Sequence, residues 1–306
     1  MNKKMNPVVL AEANVRLTLT QESPRLRALH GLVGFARRKP LGAIGLFTMI
    51  VLVMAACIPG VIAPQAYDEI DILNRFQNPS SSHLFGTDNQ GRDVFSRIVF
   101  GARTSVVIGF GVVLVAALLS ASIGTVSGFY GGVVDIVIQR LIDIWQAFPG
   151  IVFVIFLLSI FETSTWTLIM SLGLIFTAGS SRVIRSSVLQ NKQSLYVDAA
   201  RALGAPDLRI MLWHILPNTF PIIIINASVQ VGAVILIESS LSFLGFGVPP
   251  PFPSWGGMLQ AAQADMQQHP YLAVFPGLAI ALTVYSLNML GDALRDVLDP
   301  RMRGSK

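Results

Sequence analysis

Six runs of mainly apolar residues, each close to the length that crosses a bilayer, constrain this chain more than any other feature. About 20 apolar residues in a helix cover the roughly 30 Å of hydrocarbon. Inside that layer only a helix or a closed barrel satisfies every backbone polar group. The runs are 41–63, 104–129, 138–161, 166–181, 220–240 and 271–290. The fourth is the shortest and holds Gly173 and Gly179. Apart from Arg140 near the start of the third, the other five contain no Lys or Arg. Charged residues make up 13% of the 306, about half of what soluble domains carry, which argues against a cytosolic enzyme. The single Cys57 excludes a disulfide scaffold, and a hydrophobic content of 53% excludes disorder. The expected fold class is an all-α membrane protein with six transmembrane helices.

The basic residues give that fold a direction. Eighteen of the 22 Lys and Arg fall in segments that would share one side: the tail up to Lys39, Arg140, the group from Arg182 to Arg209, and the carboxyl end from Arg295. Four (Arg75, Arg92, Arg97 and Arg103) fall between the first and second runs. Such asymmetry follows the positive-inside rule and makes both termini cytoplasmic. The expected organisation is a cytoplasmic tail at 1–40, a first span at 41–63 and an extracytoplasmic loop at 64–103. A core of five spans follows at 104–290, with a cytoplasmic loop at 182–217, and a cytoplasmic tail closes the chain at 291–306. The net charge of +5 is thus a topology signal. No nucleic-acid partner is expected, because the basic tail is interrupted by polar residues and Pro24 and has no interleaved aromatics. Forty residues before the first run are too many for a secretory signal.

In the outer loop, Phe85-Gly86-Thr87-Asp88 leads to Gly91-Arg92-Asp93 and Arg97. Thr87 or Asp88 is expected to cap a short helix, and the alternating charges predict a local ion-pair network rather than a catalytic carboxylate pair. The segment 243–270 has Pro249-Pro250-Pro251, Pro253 and Ser254-Trp255-Gly256-Gly257, with Asp265 as its one charge. This composition predicts a re-entrant or interface-lying segment with Trp255 near the lipid headgroups. His269 stands alone, so no metal site is expected.

The inner loop reads Asp198-Ala199-Ala200-Arg201-Ala202-Leu203-Gly204-Ala205-Pro206-Asp207, ending His214-Ile215-Leu216-Pro217. Alanine favours helix, Gly204 suits a left-handed helix end, and Pro206 with Asp207 suits the start of another helix. Two helices around a Gly-Ala-Pro break are expected: a smooth corner for docking on another protein, or a plain solvated loop. The same residues, with Gly204 and Leu216-Pro217 in register, resemble the EAA loop of bacterial ABC-importer permeases, with Asp198 in place of the usual Glu and His214 where Ile is common. The motif at 85–93, Leu241-Ser242-Phe243-Leu244-Gly245, Trp255-Gly256, Asn288-Met289-Leu290-Gly291-Asp292 and the run from Leu294 to Pro300 are similar to the C-type permeases of dipeptide, oligopeptide, glutathione and nickel importers. That resemblance implies a type I ABC-importer permease (MetI-like) fold. It also implies a bacterial inner-membrane location, and coupling to ATPase subunits through Asp198, Ala199, Ala200, Arg201, Leu203, Gly204, Ala205 and Pro206. The implied partners are a homologous B-type permease, two cytoplasmic ATPases and an extracytoplasmic solute-binding protein, in a lipid membrane. Di- or oligopeptides are the expected cargo, with nickel, glutathione or opine-like solutes as the alternative.

No phosphate-binding loop occurs, and no glycine precedes a lysine. The chain is therefore expected to hold no cofactor and to have no enzymatic activity, with ATP and Mg on its partners. Polar residues inside spans are pathway candidates by default, here Asn226, Gln230 and Glu238. At about 100° per residue, Gln230 lies about 40° and Glu238 about 120° around the helix from Asn226. Path lining competes with interhelical hydrogen bonding for the two amides. For Glu238, an outer gate competes with a cap for the following loop. Arg140 and Asp143 are expected to pair, and Pro149 to kink the third span. An ion-coupled carrier would need charges at mid-membrane, and an intramembrane enzyme would need a histidine there, yet all four histidines lie outside the spans.

Overall fold

The computed structural model describes residues 39–298. The expected amino-terminal tail falls almost wholly outside these, at 1–38. Of the expected tail at 291–306, residues 291–298 instead continue the last described helix, and 299–306 lie outside the described residues. The described residues form helices and no sheet; a single bridge joins Thr87 and Asp93. Helix α1, Pro40–Cys57, opens on a proline at the first helical position, where the missing N–H costs nothing. Pro59 then ends it, so the first run divides into α1 and the short α2, Pro59–Ile62.

Helix α3, Val94–Tyr130, is 37 residues long, about 55 Å, so part of it stands clear of a 30 Å hydrocarbon layer. It starts ten residues before the expected span. Asp93 caps it by accepting from the Ser96 amide at 2.8 Å, and that cap, not Thr87 or Asp88, sets its start. Arg97 and Arg103 therefore belong to a helix rather than to the loop. The Arg97 guanidinium is buried, donating to the Tyr67 carbonyl at 2.9 Å with Asp88 at 3.8 Å.

The third run is not one straight span. Helices α4, Gly132–Gln146, and α5, Gly150–Ile160, meet at 83°. Pro149 stands at the break with no N–H to carry the helix through. Helix α6, Thr165–Lys192, begins on a Ser164 cap and extends well beyond the expected 181. Two short helices follow, α7, Leu195–Ala202, and α8, Asp207–Ile210. A π-helical turn, Met211–Ile215, carries the chain into α9, Leu216–Phe243. Helix α10, Trp255–Ala262, and α11, Tyr271–Leu298, complete the described residues. Among the described residues, five helices are long and apolar enough to cross a membrane, and a sixth span results if the bent pair counts as one.

The most extensive contact joins α3 and α6. Without a hydrophobic drive between helices in lipid, close packing of small residues holds them together. Gly124 shows how close: a Cβ there would lie 2.7 Å from the Ser181 carbonyl and 3.0 Å from the Arg185 amide. Helix α11 packs on α1 and α9, and α9 on α3. Phe47, Leu114, Leu118, Phe156 and Leu282 point outward, an apolar exterior that suits lipid and companion helices rather than water.

At one end, residues 64–93 and 244–270 form a cap over the bundle. Tyr271 donates to the Thr87 carbonyl at 3.0 Å, and Phe85 stacks on Phe275 at 4.0 Å. The ion-pair network is present as Asp88 with Arg92 at 2.7 Å, while Asp93 faces His83 at 3.1 Å. Trp255 does not lie at a headgroup surface. It is 2% exposed, its indole N–H donates to the Ile98 carbonyl at 3.0 Å, and its ring covers Gly101 on α3. Replacing Trp255 with Phe should cost about 1–3 kcal/mol, because the Ile98 carbonyl loses its indole donor and the pocket is underfilled. A lower midpoint of thermal unfolding in detergent would register this.

Candidate functional site

At the other end of the bundle, α7 and α8 form a corner with two different faces. Its back is built into the protein. Val197, Ala200, Ile210 and Ile215 are buried in one cluster with Phe129 of α3 and Ile184 and Val188 of α6. Lys192 donates to the Phe129 carbonyl, and both Lys192 and Arg201 lie over the Phe129 ring, at 5.6 and 5.7 Å. A plain solvated loop would bury none of these.

The break follows from backbone hydrogen bonding. The Ala205 amide donates to the Ala200 carbonyl at 3.1 Å and the Gly204 amide to Arg201 at 2.9 Å. This pair of reversed bonds closes a helix on a left-handed residue. Gly204 supplies it, with φ +76°, and a Cβ there would meet nothing within 4 Å. Conformation, not space, therefore calls for glycine. Pro206 is extended, one residue ahead of α8, and Asp207 is in that helix's first turn.

The front of the corner is bare and apolar. Leu195 is 87% exposed, Leu203 88% and Trp213 75%, with Leu208 also exposed. Asp198, Ala199 and Arg201 are exposed beside them. Of the expected residues, Ala200 and Ala205 face the protein and Leu203 faces outward. Leu195, Leu208 and Trp213 were not singled out from sequence. The available signal was large apolar residues scattered through a segment too polar to span.

Two ion-pair sets brace the same end. Arg185 of α6 grips Asp135 of α4, with its Nε donating at 2.6 Å, and Ser127 donates to the same carboxylate. Asp143 receives Arg182 at 2.5 Å and the expected Arg140 at 3.4 Å. The basic residues read as an inner loop are thus partly rivets between α6 and the broken span.

The three polar residues of α9 fall in two places. Asn226 and Gln230 line a crevice with Ser120 of α3 and Ser180 of α6, too narrow for a water molecule. Gln230 Nε2 donates to Ser180 Oγ at 2.7 Å, an interhelical bond. Glu238 is 1% exposed and accepts from Ser242 Oγ at 2.7 Å and Ser239 Oγ at 3.5 Å. It lies inside the protein at the end of α9.

A family model described as "Binding-protein-dependent transport system inner membrane component" matches residues 120–304. The chain is 38% identical over 269 residues to the glutathione transport system permease protein GsiD of Pectobacterium atrosepticum, covering 88% of this chain and 89% of that one. It is 37% identical over 267 residues to the dipeptide transport system permease protein DppC of Alkalihalophilus pseudofirmus, covering 87% and 88%. It is 39% identical over 271 residues to GsiD of Escherichia coli O6:K15:H31, covering 88% and 89%. An all-α multispanning bundle and nearly full-length likeness agree, and the chain belongs to the family of binding-protein-dependent inner-membrane transport components, as an ABC-importer permease subunit, a transport component and not an enzyme.

Proposed function

We propose that this subunit forms half of the translocation path of an ATP-driven importer of short peptides, with glutathione as its foremost cargo. Free dipeptides are the second reading. A permease named for dipeptides and permeases named for glutathione stand at nearly equal identity to this chain, and two of the three relatives described above are named for glutathione. The initial expectation of dipeptides or oligopeptides thus gives way to its alternative.

In this reading both termini and the α7–α8 corner lie in the cytoplasm, as the eighteen basic residues on that side support. The partners are a homologous B-type permease, two ATPases that hold ATP and Mg, and an extracytoplasmic solute-binding protein. Asp198 to Pro206 form the ATPase contact. The observation that carries it is the two-faced corner: bare leucines and a tryptophan in front, and a buried back that ties them to α3, α6 and α9. A push on such a corner moves three spans together. Asn226 is the path residue of this reading, because its amide has no hydrogen-bond partner among the described residues, while Gln230 and Glu238 are engaged within the subunit.

The test is uptake of labelled glutathione and of labelled dipeptides by the complete importer in proteoliposomes with ATP inside. Glutathione should enter and compete with itself more strongly than any dipeptide does. Preferential entry of a dipeptide would move the assignment to the second reading.

A further inference from the structure

Beside the cap, at the end opposite the α7–α8 corner, an open-sided cavity of about 360 Å³ lies between the first turns of α3, the start of α6 and the proline-rich loop before α10. That volume is within the range of small-ligand sites, about 300–1,000 Å³. Its walls are Tyr67, Phe100, Val248 and Phe252, with Tyr67 set against Phe100 at 5.0 Å and Phe252 at 6.0 Å between ring centres. Two polar groups reach it with no hydrogen bond or ion pair among the described residues: the Thr165 hydroxyl and the guanidinium of Arg103.

Arg103 differs from the other cations of this end. Arg92 pairs with Asp88, Arg97 holds the Tyr67 carbonyl and Arg75 lies over Phe76 at 5.5 Å. Arg103 is exposed at the cavity and faces no carboxylate among the described residues. The cavity is also held in shape: Thr104 donates to the Pro253 carbonyl at 2.8 Å, and Trp255 fastens the following helix to Ile98. A rigid aromatic chamber with one uncommitted guanidinium is built for an anionic oxygen attached to an apolar or variable body.

We infer that this chamber is an entry subsite in which Arg103 receives a carboxylate of the peptide cargo. The inference rests on the peptide reading and deepens it. All short peptides share a terminal carboxylate and differ in their side chains. One guanidinium fixes the shared group, and aromatic walls accept the variable ones without demanding particular hydrogen bonds. Arg103 is thereby a specificity-determining residue of the permease, separate from any selection made by the binding protein.

The complete importer with its binding protein, reconstituted in proteoliposomes, tests this with glutathione as the probe. Arg103→Gln should raise the KM for uptake about tenfold or more, as expected for the loss of a charge-assisted carboxylate contact, and Arg103→Lys should recover most of it. Binding-protein-stimulated ATP hydrolysis should remain within about twofold of wild type, since Arg103 is far from the corner. The effect should be the same in zwitterionic vesicles and in vesicles rich in phosphatidylglycerol. Unchanged uptake by Arg103→Gln overturns the inference. So does loss of uptake together with stimulated hydrolysis, which would mark a partner contact, or an effect present only with the anionic lipid, which would mark a headgroup site. If the wild type imports neither glutathione nor dipeptides, the peptide reading fails, and this subsite fails with it.

Discussion

Replacing Leu203 with Glu is expected to abolish ATP-driven uptake while leaving the subunit folded and inserted. Leu203 is 88% exposed and lies at the tip of the corner, so the fold gains nothing from its side chain and loses nothing when it goes. Any loss of transport then reports a partner. A hot-spot side chain at the centre of an interface costs about 2 kcal/mol or more on truncation, about a 30-fold change in affinity, and a buried unpaired carboxylate adds a desolvation cost to the lost contact. Uptake should fall at least about 30-fold, with an unchanged melting temperature and less ATPase subunit recovered with the permease. Leu203→Met, which keeps volume and polarity, should keep transport near wild type. A full loss with Met would point to the backbone rather than to an apolar contact.

Gly124→Leu should produce the other large effect, this time on the fold itself. The atoms nearest to the missing Cβ are backbone, the Ser181 carbonyl and the Arg185 amide of α6, so no side chain can rotate out of the way. The two longest-packed helices must separate. Overpacking of this kind costs about 3 kcal/mol or at times more. It also loosens the grip of Arg185 on Asp135, one turn along the same face. Intact subunit recovered in detergent should drop severely. At Gly60 of α2 a Cβ would meet nothing within 4 Å, and Gly60→Leu should leave recovery unchanged. Equal behaviour of the two variants would contradict the packing account.

The spans were legible in the sequence because apolar length and the absence of charge are local properties. The positions where the reading moved are those at which tertiary contacts override composition. Arg97 and Arg103 looked like loop residues because charges are costly in a span. Helix α3 admits Arg97 because Asp88 and the Tyr67 carbonyl meet its guanidinium, and no local pattern announces those partners. Trp255 had the composition of a headgroup anchor, yet Gly101, more than 150 residues earlier, offers its ring a flat seat. Pro149 marked a bend, but no local pattern gives its 83° size or the ties of Asp135 and Asp143 on α4 to Arg185 and Arg182 on α6. Gln230 and Glu238 were visible as polar groups in a span, but only the fold supplies Ser180 for the first and buries the second at the end of α9.

In the corner at 195–215, the left-handed Gly204 was readable from the Gly-Ala-Pro break, because that conformation is a property of a few adjacent residues. Which leucines face outward was not. Exposure depends on which residues Phe129, Ile184 and Val188 cover, and these come from two other helices.

The central claim, that the α7–α8 corner meets an ATPase subunit, is tested most directly by placing a single thiol at its tip. In the complete importer, with Cys57 replaced by Ser so that the chain carries no other cysteine, Leu203→Cys would be tagged with a photoactivatable crosslinker and illuminated with and without ATP. Leu73→Cys, on the opposite end and 96% exposed, serves as the comparison. The account predicts an adduct between position 203 and an ATPase subunit whose yield changes with nucleotide, and none from position 73. Adducts from position 203 only to lipid or to the companion permease, with the ATPase left unlabelled in both nucleotide states, would contradict it.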